Sequence, residues 1–298
     1  MAPTPDTTST ETTSTDNSGA ADRAAHIARF GTHGTWGWFG KFSPDQARAI
    51  EELGYGTIWL GGSPEHLRPV RKVLDATENI TVATGIVNIW NTDAAAIADE
   101  FHELEADFPG RFYLGVGAGH PEATAEYQKP YDAVSAYLDV LDEKNVPTER
   151  RLLAALGPRM LRLSANRALG AHPYLTPPAH TEIARTELGD GVLLAPEHKV
   201  VVDTDAAAAR AVGRPPVDQP YLHLTNYVSN LKRLGWTDAD IENGGSDALI
   251  DALVAHGDAA SVRAQVDAHL TAGADHVAIQ VLGDGDPVGP LREIITAA

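Results

Sequence analysis

The sequence predicts an α/β fold, a (β/α)8 TIM barrel with an insertion between its seventh and eighth strands. Three observations predict it. Short apolar runs alternate with amphipathic segments from about Ala28 onward, eight of those runs qualify as strands, and the connections between them are short and polar. The strand candidates are Ala28–Thr32, Thr57–Leu60, Ile80–Ile86, Phe112–Gly117, Arg151–Leu156, Ala171–Leu175, Lys199–Val202 and His276–Leu282.

The intervening helices carry start and stop signals. Ser43-Pro44-Asp45 supplies an N-cap, a proline at the first helical position and an acid in the first turn, and Gly54 supplies an exit. Asn91-Thr92-Asp93 opens a helix that ends before Pro109-Gly110, and Asp258 caps a helix over Ala259–Thr271 that Gly273 closes. Residues 203–275 hold more helical pattern than one crossover needs, notably Tyr221–Leu234 and Ser246–His256. That insertion fits a lid, a dimer contact or extra packing helices. Residues 1–24, rich in Thr, Ser and Pro, predict a disordered tail, leaving 25–298 as one barrel domain.

Composition excludes several classes of function. Lys+Arg total 23 against 41 Asp+Glu, a net charge of −18, which disfavours nucleic acid and anionic membranes as partners. With 0 Cys there is no disulfide, thiolate metal site or cysteine nucleophile. No apolar run is long enough to span a bilayer, and the N-terminal segment lacks the basic start and apolar core of a secretory signal. A cytoplasmic protein acting on a small molecule is the expectation.

In such barrels the active site lies at the carboxyl ends of the strands. The segment from Arg111 to Glu122 is the most informative: an apolar strand runs into Gly115, Gly117 and Gly119, followed by His120 and Pro121. Alternate glycines remove side chains where a flat or phosphorylated ligand could press on the backbone. The spacing does not make a dinucleotide loop, which needs a third glycine of another kind and a downstream acid. The other strand ends bring His33, Trp36 and Trp38; Gly61, Gly62 and Ser63; Gly85, Ile86, Asn88 and Trp90; Gly157, Pro158, Arg159 and Met160; and His172 and Tyr174.

This mouth is rich in glycine and aromatics and poor in acids and bases. It lacks a glycosidase carboxylate pair, a His/Asp/Glu metal cluster, a Ser–His–Asp order and a strand-end lysine. Such a pocket suits a reaction whose hard step belongs to a cofactor, hydride transfer among them. Pro158 starts a helix directly after a strand, which makes a ready anion site that Arg159 and Arg162 would reinforce. His120 and His33 are the candidates for proton transfer, each equally readable as a local structural histidine. Trp36, Trp90, His172 and Tyr174 fit a substrate slot or core packing.

The chain resembles the luciferase-like monooxygenase superfamily, specifically its branch of coenzyme F420 (deazaflavin)-dependent oxidoreductases. The matching segments are Glu52–Trp59, Val82–Trp90, Pro109–His120, Leu153–Met160, Gly170–Leu175, Leu194–Glu197 and Ala272–Ala278. The resemblance implies a barrel, usually dimeric, with F420 as cofactor and FMN as the alternative. It implies a non-proline cis peptide at Gly85–Ile86 backing the ring and a polar contact from Asn88. It further implies backbone approach at Ala118 and Gly119, and a phosphate on the helix start from Gly157 to Met160. One departure matters: sugar-phosphate dehydrogenases of this superfamily carry Asp-His after the second strand and a glutamate after the fourth-strand glycine. Here those places read Gly61-Gly62-Ser63 and His120. The resemblance therefore implies an F420-dependent oxidoreductase that does not take glucose 6-phosphate. An FMN-dependent monooxygenase and a non-catalytic flavin- or deazaflavin-binding protein stand as alternatives.

Overall fold

The computed structural model describes residues 14–62, 64–119 and 129–297. Its centre is a curled sheet of parallel strands, in the order β10-β9-β11-β1-β2-β3-β5-β6-β7-β8 with β4 paired to β5, surrounded by helices. In chain order the strands are β1 His33–Trp38, β2 Thr57–Gly61, β3 Thr81–Thr84, β4 Val87–Asn88, β5 Phe112–Gly117 and β6 Arg151–Leu153. They continue as β7 Gly170–Ala171, β8 Leu193–Leu194, β9 Glu197–Val202, β10 Val254–Gly257 and β11 Val277–Val281. The stretch 193–202 draws the sheet round. On one flank Ala195 and Glu197 donate backbone hydrogen bonds to Ala171 and Pro173; on the other, Ala278 donates to Pro196.

The helices form where their signals stand. α1 is Ser14–Ala28, α2 Pro44–Glu52 and α3 Arg68–Ala76. Ser43 makes a full capping box with Gln46 at the start of α2. Asp93 caps α4 (Ala94–Asp107), followed by α5 (Pro130–Glu143), α6 (Pro158–Arg167) and α7 (Pro178–Leu188). Between β9 and β11 lie α8 (Ala206–Asp218), α9 (Thr225–Arg233), α10 (Asp238–Ile241), α11 (Asp247–Leu253) and α12 (Ala259–Thr271), the last capped by Asp258. α13 (Val288–Thr296) ends the described chain.

Strand alternation divides the core. On β2, Trp59 faces the interior cluster with Phe30, Trp36, Tyr113 and Leu152, while Ile58 and Leu60 face the helices. A further apolar cluster, including Leu175, Val217, Tyr227, Leu249 and Ile250, lies under the α8–α11 segment.

Several expectations shift. The first strand is not Ala28–Thr32: helix α1 runs to Ala28, Gly31 turns the chain at φ +65°, and extended pairing starts at His33. Helix α1 also enters the segment read as a tail over 1–24. Its Arg23 guanidinium donates to the carbonyls of Ala168, Leu169 and Gly191, at the amino ends of β7 and β8. The sixth expected strand, Ala171–Leu175, is shortened to Gly170–Ala171, and Leu175 takes a left-handed φ of 55°. Strand β10, which pairs with β9, has no counterpart among the expected strands.

Candidate functional site

A cavity of about 460 Å³ opens at the carboxyl ends of the strands. Its lining comes from eight places in the fold, one of them Pro130 at the start of α5. Trp36 and Trp38 end β1, Gly62 follows β2, and Gly85 with Ile86 link β3 to β4, where Asn88 stands. Ala118 and Gly119 follow β5; the 154–157 stretch follows β6, with Met160 on α6; His172 and Tyr174 follow β7. Pro220, Tyr221, Asn226 and Tyr227 come from the α8–α9 region. Among the described residues, none that lines the cavity is Asp, Glu, Lys or Arg, although the chain carries −18 overall. A second recess of about 190 Å³, lined by Arg68, Arg71, Glu100 and Glu103, lies between α3 and α4 and has no glycine or aromatic lining.

The two sides of the cavity differ. One is backbone. The Gly85–Ile86 peptide is cis, and a Cβ on Gly85 would sit 2.9 Å from both His172 Nε2 and Trp36 Nε1. A Cβ on Gly119 would meet Asn88 Nδ2 at 2.5 Å. Asn88 is oriented because its Oδ1 accepts from Trp90 N (3.1 Å). The other side is aromatic. Trp36 packs against Trp38 and Tyr174, and Tyr221 against Tyr174 and Tyr227. The Trp36 indole N–H donates to Gly85 O at 3.1 Å, tying the two sides together.

Behind Tyr174 lies a polar group buried away from solvent. Its hydroxyl donates to Gln280 Oε1 (2.9 Å), which also accepts from Lys199 Nζ (3.2 Å). Lys199 pairs with Glu197 at 3.0 Å and holds its ammonium 3.9 Å from the Tyr174 ring. Burial pushes the Lys199 ammonium down and the Glu197 carboxyl up, and their mutual attraction opposes both shifts. Burial also raises the Tyr221 phenol to about 12, so it is a neutral hydroxyl at ordinary pH.

At the start of α6, Gly157 occupies the N-cap and no side chain caps the helix, which leaves the Arg159 N–H without an intrahelical acceptor. The nearby guanidinium is Arg233, whose Nη2 lies 3.8 Å from a Cβ built on Gly157 and donates to Asn230 Oδ1. The expected reinforcement by Arg159 and Arg162 does not occur. Arg159 stacks over Tyr131, 4.2 Å from its centroid, and Arg162 pairs with Glu187.

Of the expected site residues, the structure brings Trp36, Gly85, Ile86, Asn88, Ala118, Gly119, Gly157, Met160, His172 and Tyr174 to one cavity. Pro158 and Arg159 fall outside its lining, and Trp90 packs against the outer core. His33 is corrected outright. It stands at the opposite end of β1 from Trp38, buried, with Nε2 2.6 Å from Asp267 Oδ1. The later start of the first strand puts it at the amino end, away from the cavity. His120 and Ser63 lie outside the described residues. Sequence reasoning missed Tyr221, Asn226, Tyr227, Lys199, Gln280 and Arg233. The density of Tyr and Asn over 221–230 was the one signal that could have found the first three.

Residues 41–144 match the family described as luciferase-like monooxygenase. An N-acetyl-S-alkylcysteine monooxygenase of Bacillus subtilis (strain 168) is 32% identical over 133 residues, which span 38% of this chain and 39% of that protein's length. An F420-dependent secondary alcohol dehydrogenase, solved with an F420–acetone adduct, superposes with TM-score 0.69 at 15% identity, covering 90% of this chain and 98% of the other. The coenzyme F420-dependent tetrahydromethanopterin reductase of Methanopyrus kandleri gives 0.63 at 17% identity, with 89% and 98% covered. The FMN-bound oxygenating constituent of 3,6-diketocamphane monooxygenase from Pseudomonas putida gives 0.61 at 13%, with 89% and 97% covered. At these identities the structural likeness speaks to fold alone. The resemblance to the luciferase-like monooxygenases is thus borne out: their family match lies over residues 41–144, and the fold around it is shared with solved F420- and FMN-dependent enzymes.

Proposed function

We propose that this protein is an oxidoreductase that binds coenzyme F420 in the cavity and transfers hydride to or from a small uncharged organic substrate, on an eight-stranded barrel whose 203–275 insertion shapes the substrate end. The observation that carries the reading is the convergence of Gly85, Gly119 and Gly157 on one cavity that, among the described residues, has no charged lining. When bound, the deazaflavin supplies the ring carbon that gives or takes hydride. The residues present fit such a group: a backbone wall for a flat ring, an uncapped helix start with Arg233 beside it for a phosphate, and an aromatic wall that excludes water. Holding ring and substrate about 3–3.5 Å apart would supply most of the acceleration. His120, next in sequence to the cavity residue Gly119, is the proposed proton-handling group.

The FMN-dependent monooxygenase reading has an observation of its own: both the matched family and the 32% identical relative are described as monooxygenases. Titrating the purified protein with F420 and with FMN, followed by fluorescence, and then measuring oxygen-dependent turnover, separates the readings. Tight F420 binding with substrate-dependent bleaching of its absorbance is the expected result. FMN binding with oxygen consumption selects the second reading, and binding without turnover across a broad substrate panel selects a non-catalytic carrier.

A further inference from the structure

We infer that His172 Nε2 is the acceptor by which this cavity recognises a hydrogen-bond donor, an N–H or O–H, on the molecule it takes in. The inference rests on the proposed function only for the identity of the cofactor used to test it.

The ring's tautomer follows from its partner. His172 Nδ1 lies 2.7 Å from Ala195 O, and a carbonyl oxygen only accepts, so Nδ1 carries the proton. Nε2 of the neutral ring is then a bare lone pair. The ring cannot turn to hide it: it stacks on Trp59 at 4.0 Å between centroids and 11° between planes, and a flip would break the Ala195 bond. Full burial holds the imidazole neutral, with its pKa pushed down to about 4, so Nε2 is not a donor at ordinary pH.

Among the described residues Nε2 has no hydrogen-bond partner. Trp36 Nε1, which like His172 Nε2 lies 2.9 Å from a Cβ built on Gly85, already gives its hydrogen to Gly85 O. The other buried polar atoms without a partner among the described residues belong to His66, Arg151, Thr176 and His180, and none of those residues lines the cavity. His172 does. Glycine at position 85 leaves no side chain against this buried nitrogen, whereas a Cβ there would stand 2.9 Å from it. A buried acceptor without a donor is costly, so its presence at a ligand cavity points to a donor that arrives with the ligand. The same lone pair opposes a carbonyl or carboxylate oxygen placed at that point, which makes His172 a specificity-determining residue. The donor can belong to the ring edge of the cofactor or to a hydroxyl on the substrate; the chemistry is the same, and the test distinguishes the two.

The test uses the full-length protein with 15N-labelled histidine rings. The His172 Nε2 resonance is assigned by its loss in His172→Gln. F420 and FMN are titrated first. Then, with F420 saturating, 2-propanol and benzyl alcohol are added, each beside its methyl ether. An upfield move of Nε2 on adding F420 or FMN places the donor on the ring. A move with an alcohol but not its ether places it on the substrate. His172→Phe, checked for an unchanged fold by thermal unfolding, should weaken binding of the same probe about tenfold, and His172→Gln, which can return an acceptor, should recover part of the loss. If a cofactor binds by fluorescence while Nε2 stays still with cofactor and alcohols alike, or if His172→Phe binds every probe as the parent does, the inference is overturned. If neither cofactor binds, the functional reading fails by itself, and the alcohol and ether titrations of the free protein still decide the inference.

Discussion

A Cβ added at Gly85 would reach 2.9 Å from two nitrogen atoms at once, on Trp36 and His172, and neither ring has room to retreat. Trp36 is held by its bond to Gly85 O, and His172 by Trp59 and Ala195. Gly85→Ala should therefore disturb the cavity floor by about 1–3 kcal/mol of overpacking. The expected outcome is a folded protein whose cofactor affinity, read by fluorescence titration, falls at least about tenfold. His33 predicts the reverse pattern. Its Nε2 faces Asp267, and Arg263 pairs with the same carboxylate at 2.8 Å. His33→Ala strips a buried partner from Asp267 and leaves the cavity untouched. Stability should drop by about 1–3 kcal/mol in urea unfolding, with cofactor affinity unchanged within about twofold. Weakened binding in a normally stable His33→Ala protein would return that histidine to the active site.

Helix α6 shows how far local signals carry and where they stop. Its start was legible: Gly157-Pro158 after an apolar run is a local pattern, and the structure puts Gly157 at the N-cap and in the cavity wall. The capped starts of α2, α4 and α12 were legible for the same reason, since a cap is a contact between residues three apart. The cation beside α6 was not. Arg159 and Arg162 stood nearest in sequence, but helix geometry turned one onto Tyr131 and the other onto Glu187, while Arg233 arrives from α9. A contact between residues that far apart in sequence leaves no periodicity or spacing to read. The aromatic wall from Tyr221 and Tyr227 was hidden in the same way. The first strand failed for a different reason: Ala28–Thr32 is apolar enough for a strand, but the Ala-rich segment before it propagates as helix and consumes its first residue. The pairing at α6 yields a prediction. Arg233→Gln should weaken a phosphate-bearing cofactor about three- to tenfold, with a larger loss at low ionic strength, because the missing charge is screened by salt. Arg159→Gln should change affinity less than about twofold. Equal losses from both substitutions would remove Arg233 from the anion site.

Taken as one cooperative unit, the molecule buries several neutral histidines on the two faces of its sheet. His172 and His198 have pKa values pushed down to about 4, and His276 to about 3, in each case by burial before any other cause. His172 donates from Nδ1 to Ala195 O, and the other two make bonds that suit the neutral ring. Trp59 donates to His276 Nε2 while His276 Nδ1 donates to Gly31 O, and His198 shares one hydrogen with His269 across 3.0 Å. The sign follows from proton counting. Between the ordinary histidine value near 6.5 and the depressed folded values, the unfolded chain binds protons that the folded chain refuses. Stability is thus fully present above about pH 6.5 and falls as pH drops toward 4, each histidine contributing about 1.4 kcal/mol per pH unit within that window. Three such groups together take about 4 kcal/mol per unit, against a total stability of roughly 5–15 kcal/mol for a typical domain. Paired carboxylates such as Asp142, held low by Arg151 and Arg167, lose their bonds only at lower pH and do not account for a decline that starts near 6. Urea midpoints measured from pH 8 down to 4.5 should stay level to about 6.5 and then fall steeply, with cooperative unfolding in plain buffer between about pH 4 and 5. A midpoint that stays level to pH 5 would show that these histidines take up protons in the folded protein.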